Sequence, residues 1–145
     1  MGIFNTYATS LADANLLLQV AILLILLVGW KFSVKREYMK HGILMSLAIS
    51  LHTVLIFVAM VPPLIASAGL FENLLNRLAL TILLHSVLGT LVELSGIYLL
   101  GTWFLNHGLS KTCFKNKIIM KINIGLWIVE LALGMYTYIL LYFPA

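Results

Sequence analysis

The chain has 145 residues, 62% of them hydrophobic and 10% charged, with a formal net charge of +4 and a single cysteine. Soluble domains average about 45–50% apolar and about 25% charged residues, and a globule this small cannot hide such an excess of apolar surface. The composition argues against a soluble enzyme, a disordered chain or a disulfide scaffold, and it suits one membrane domain of about four spans at roughly 20 residues each.

The first apolar run, residues 16–30, is closed by Lys31, Lys35, Arg36 and Lys40. No Lys or Arg precedes it, so it lacks the basic start of a signal peptide and is read as a retained helix. The second run, residues 42–61, ends at Pro62-Pro63. The third covers residues 78–105, and the fourth covers 118–143 with Glu130 inside it. Each is long enough to cross a hydrocarbon core about 30 Å thick as a helix, and runs this continuously apolar do not fit alternating barrel strands. Short connections make successive helices antiparallel neighbours. The expected fold is therefore all-α, an integral-membrane up-down four-helix bundle in a single domain, residues 1–145.

Charge orients the bundle. The connection 31–41 carries Lys31, Lys35, Arg36 and Lys40, and the connection 106–121 carries Lys111, Lys115, Lys117 and Lys121, whereas the connection between spans two and three has only Arg77. Basic residues favour the cytoplasmic side, so the expectation is a multi-pass protein of the cell membrane with both of these loops cytoplasmic and both termini outside. Trp30 and Trp103 mark the inner ends of their helices. On this reading the positive charge reports topology and gives no support for a nucleic-acid partner; the partner it implies is the lipid bilayer.

Ionisable groups at membrane depth are costly and mark candidate sites. They are His52, His85, Glu93 and Glu130, with His41 and His107 nearer the inner interface. His41 and His52 are 11 residues apart, about 20° from three full turns, so they share a helix face. Counted from the outer connection, His52 and His85 come out at one depth on neighbouring helices. Two imidazoles at one level suit the axial coordination of a b-type haem, with His85 and His52 as iron ligands and the macrocycle in an apolar slot. A second haem would use His41 and His107. For His52 and His85 alone, the competing reading is a hydrogen bond to a neighbouring helix, and for His41 and His107 it is an interfacial imidazole beside lysines. Counted from the inner boundary, Glu93 and Glu130 also fall at one depth. They form a candidate proton-relay pair, or else two capped structural carboxyls. Met39, Met45, Met60 and Met120 would make a copper site only if they converged, because methionine is more often core filler. Cys113 reads as a free thiol.

Several short motifs resemble a small four-helix prokaryotic membrane family that includes assembly factors encoded near terminal oxidases. They are Lys40-His41-Gly42-Ile43-Leu44-Met45, Leu84-His85-Ser86, the basic segment after His107, and Leu126-Trp127 followed by Gly134-Met135-Tyr136. The wider architecture resembles the four-helix haem-binding cores of cytochrome b561 and haem A synthase. These resemblances imply either a membrane b-type haem protein moving electrons between a quinone-like carrier and a redox partner, or an assembly or accessory subunit of a respiratory complex. A transporter using Glu93 and Glu130 is a third possibility, weakened by the lack of internal repeats.

Overall fold

A computed structural model of the protein describes residues 7–72, 76–106 and 110–143. Four long apolar helices, each long enough to cross a membrane, dominate them. Helix α1 is Ser10–Val34, α2 is Tyr38–Leu55, and α2 continues through a π-helical turn, Ile56–Met60, into α3, Val61–Ala66. A 3₁₀ turn, Ala68–Glu72, follows; then come α4 (Arg77–Leu105), the short α5 (Ser110–Lys115) and α6 (Lys117–Tyr142). No strand occurs among the described residues. Helix α1 packs mainly on α2 and α4 mainly on α6, while α2–α4 and α1–α6 contacts close the ring. This is the all-α, up-down four-helix arrangement.

Local chemistry sets the helix ends. The Thr9 hydroxyl accepts a hydrogen bond from the Ala12 amide at 3.2 Å, and Asp13 lies in the first turn of α1 where the helix dipole favours a negative group. The Asn76 side chain caps α4 by accepting from the Leu78 amide at 2.9 Å. The α1–α2 turn is tight enough to force Arg36 to φ 63°, the left-handed region. Tyr38 at the start of α2 meets Phe114 of α5 edge to face, with ring centroids 5.8 Å apart. The two lysine-rich connections therefore sit at the same end of the bundle. At that end the Lys40 ammonium, bonded to Glu37, holds the Glu37 carboxyl below its ordinary range.

One feature departs from the sequence expectation and shifts the register between helices. Pro62-Pro63 does not end the second span, because the helix runs on to Ala66. A proline ring collides with the carbonyl four residues earlier and donates no N–H. The π-helical turn at Ile56–Met60 lies just before the prolines and widens the coil where those carbonyls fall. With α2 extended by a turn and more, the level at which each of its residues faces α4 moves. The consequence appears at His52.

The exterior is apolar: Leu24, Phe57, Leu94, Phe104 and Ile118 are all exposed. The interior combines a small apolar core of Ile22, Leu26, Ala48, Val92 and Trp127 with buried Asp13, Gln19, His41, His52, Asn123 and Glu130. An exposed apolar coat around buried polar groups is the distribution a lipid environment selects. Trp30 is exposed at the end of α1, as an interfacial indole should be. Trp103 turns inward instead, with its Nε1 buried. Its indole lies over Gly42, where a Cβ would come within 2.3 Å of the ring.

Candidate functional site

The membrane-depth histidines and glutamates form two histidine–glutamate pairs. His52 is fully buried, and its Nδ1–H donates to Glu93 Oε2 at 2.8 Å. The other oxygen of Glu93 lies within hydrogen-bonding reach of the Thr53 hydroxyl, whose single proton is shared with the Ile49 carbonyl at 2.9 Å. One α4 carboxylate is thus held by two consecutive residues of α2. The second pair joins α4 to α6: His85 Nδ1–H donates to the Glu130 carbonyl at 3.1 Å, with Glu130 Oε1 at 3.4 Å. Close approach is possible because Gly134 faces the ring; a Cβ there would lie 2.9 Å from His85 Cε1.

These contacts place the expected residues. Glu93 and Glu130 are not hydrogen-bonded to each other; each carboxyl turns to a histidine instead. His52 faces Glu93, which lies eight residues beyond His85 on α4, about 12 Å at 1.5 Å per residue. His52 and His85 are therefore not at one level, and the cause is the continuation of α2 through the prolines. His41 and His52 are both buried on α2, so His41 is not the exposed interfacial imidazole its position beside the lysines suggested. His41 lies at the basic end, where its Nδ1–H donates to the Gly29 carbonyl of α1 at 2.9 Å. His107 lies outside the described residues.

His52, His85 and Glu130 nevertheless border one cavity of about 560 Å³ between α1, α2, α4 and α6. That volume falls within the range of small-molecule and cofactor sites. Its wall on the α2 side is the π-helical turn and the two prolines, so the break in helical regularity shapes the cavity. The ring of His52 also packs on Trp127, with centroids 4.6 Å apart. Several polar atoms around the cavity have no hydrogen-bond partner although they are buried. These are Asn15 Oδ1, both amide atoms of Gln19, His52 Nε2 and Glu130 Oε2. Each such group costs about 1–3 kcal/mol when nothing satisfies it, so their gathering around one cavity marks a place for a ligand or ordered water.

Helix α1 contributes a residue that the ionisable groups alone do not point to: Gln19, an isolated, buried amide in a long apolar run. Asn15 also borders the cavity, and the Tyr138 hydroxyl donates to the buried Asp13 carboxylate, tying α6 to the start of α1 beside it. Among the described residues, no group of three or more His, Cys, Asp or Glu side chains is disposed to hold a metal ion through those residue types alone. A haem needs only one or two protein ligands, so its iron places no such demand on the site.

No protein-family model, curated protein or solved structure matches this chain. The site must therefore be judged on its own chemistry.

Proposed function

We propose that the protein is a membrane redox protein that binds a b-type haem in the large cavity, with His85 as its iron ligand. Electrons then pass between a quinone-like carrier and a redox partner of the respiratory chain. The observation that carries this reading is the anchoring of His85. A ring whose Nδ1–H is committed to a backbone carbonyl keeps its lone pair on Nε2, and this is how proteins orient imidazoles toward metals. The cavity that His85 borders has the size and apolar lining a macrocycle requires. Haem, when bound, supplies one-electron chemistry.

The chain's own residues do the rest. Gly134 lets the His85 ring sit close to α6, and the Glu130 carbonyl sets its tautomer. His52 lies about 12 Å along the bundle from the level of His85 and so is not placed on the same iron; its Nδ1–H is paired with Glu93. The pair is a hydrogen-bonded acid–base couple at the cavity wall, placed to compensate a change of charge inside it. The full-length protein, produced with ample haem, is expected to show a Soret band that shifts on dithionite reduction. His85→Ala should turn the spectrum high-spin or abolish it, whereas His52→Ala should keep the band and change the pH dependence of the midpoint potential. A folded but colourless wild-type protein would overturn the haem reading and favour an accessory subunit of a respiratory complex. A band unchanged in His85→Ala would overturn the ligand assignment.

A further inference from the structure

We propose that the second, smaller cavity, at the basic end of the bundle, is a site for monovalent copper, with His41, Met45, Cys113 and Met120 as its ligand set. The cavity measures about 60 Å³, far too small for a macrocycle but ample for an ion, and these four residues all border it. They come from three different helices: His41 and Met45 from α2, Cys113 from α5 and Met120 from α6. Methionines on one face of a single helix would be ordinary core filler. Here residues bearing two thioethers, a thiol and an imidazole, drawn from three helices, border one void.

The chemistry of the set selects the ion. Thioether and thiolate sulfurs are soft donors that favour Cu(I). No Asp or Glu borders the cavity, so calcium and magnesium lack the oxygen ligands they need. Structural zinc is held by cysteine, histidine or carboxylate groups, and one Cys with one His does not complete its shell. His41 is pre-set for coordination in the same way as His85: its Nδ1–H is committed to the Gly29 carbonyl, which leaves Nε2 as the lone-pair nitrogen. Cys113 is buried, and α5 is pinned in place by the Asn116 amide donating to the Thr102 hydroxyl at 3.1 Å and by the Tyr38–Phe114 ring contact. Binding is a simple exchange in which the Cys113 thiol releases its proton and its sulfur bonds to Cu⁺, with no change of oxidation state. Thiolate and ion neutralise each other, which lowers the cost of burying either.

The test uses full-length, tag-free protein in detergent, titrated anaerobically with Cu(I) against a chromogenic Cu(I) chelator. The expected result is one tightly held Cu(I) per chain, with X-ray absorption showing a first shell rich in sulfur. Met120→Leu and Cys113→Ser should each weaken binding by at least about 10–100-fold, the loss that follows removal of a mere hydrogen-bond partner of a metal ligand, and should leave any haem band unchanged. Met120→Leu nearly conserves volume and should fold normally, as helical circular dichroism would verify. No uptake by folded wild-type protein would overturn the proposal. So would uptake that both variants leave intact, or bound copper without sulfur scattering in the wild type.

Discussion

Replacing Glu93 tests whether the α2–α4 interface depends on a buried polar clasp or on apolar packing. In the structure the Glu93 carboxylate accepts from both His52 and Thr53. Glu93→Ala strands the His52 Nδ1–H in a fully buried position and leaves a void. Hydrogen bonds to charged groups contribute about 1.5–3 kcal/mol, and truncating one partner adds the desolvation cost of the group left behind. Interhelical hydrogen bonds within membranes average only about 0.6 kcal/mol, because the helices find other partners in the unfolded state. With two donors on one acceptor, the expected loss is about 2–3 kcal/mol. Glu93→Gln should lose less, about 1 kcal/mol, because the amide oxygen can still accept from His52 Nδ1–H while the NH₂ donates to the Thr53 hydroxyl oxygen, whose own proton goes to the Ile49 carbonyl. The stability assay is reversible unfolding in mixed micelles. Its control is Leu94→Ala, one residue along α4 but exposed to lipid, which should stay within about 0.5 kcal/mol of wild type. If Glu93→Ala costs no more than Leu94→Ala, or if Glu93→Gln costs as much as Glu93→Ala, the clasp is not what holds α2 against α4.

Gly42→Val should drive side-chain atoms into the Trp103 indole, cost about 1–3 kcal/mol as overpacking does, and shift tryptophan fluorescence as the half-buried ring is displaced. Burial pushes the Cys113 thiol above its ordinary pKa, so alkylation by iodoacetamide at pH 8 should be much slower than for a free cysteine and should rise steeply only at higher pH; a rate equal to that of the unfolded chain would contradict the burial. The sign follows for stability as well: the unfolded thiol ionises first, so whatever Cys113 contributes to the fold is lost as pH rises above the unfolded value. In a Cys113→Ser background, Ser67→Cys and Lys115→Cys should label from opposite faces of the membrane, with residue 115 on the cytoplasmic side; labelling of both from one face would refute the up-down topology.

The overall architecture was legible in the sequence because transfer of a helix into lipid is a local and nearly additive quantity. Fifteen or more apolar residues closed by lysines report a span whatever surrounds them, and the clustering of lysines in two connections foretold that both lie at one end of the bundle. The spacing of His41 and His52 put them on one helix face, but it did not set their burial or their different partners, Gly29 of α1 and Glu93 of α4. Pairing is different, because it depends on the level at which two helices meet. Pro62-Pro63 reads as a stop, yet the π-helical turn before it lets the helix continue, and that extension takes His52 away from the level of His85 and sets it against Glu93. Gln19, Met45, Met120 and Cys113 were all visible as residues, but nothing local says which void they face. The composition of each segment decides that it crosses the membrane. Only the tertiary structure decides which side chains meet, because a shift of a turn or two between packed helices changes every partner while leaving each helix as apolar as before.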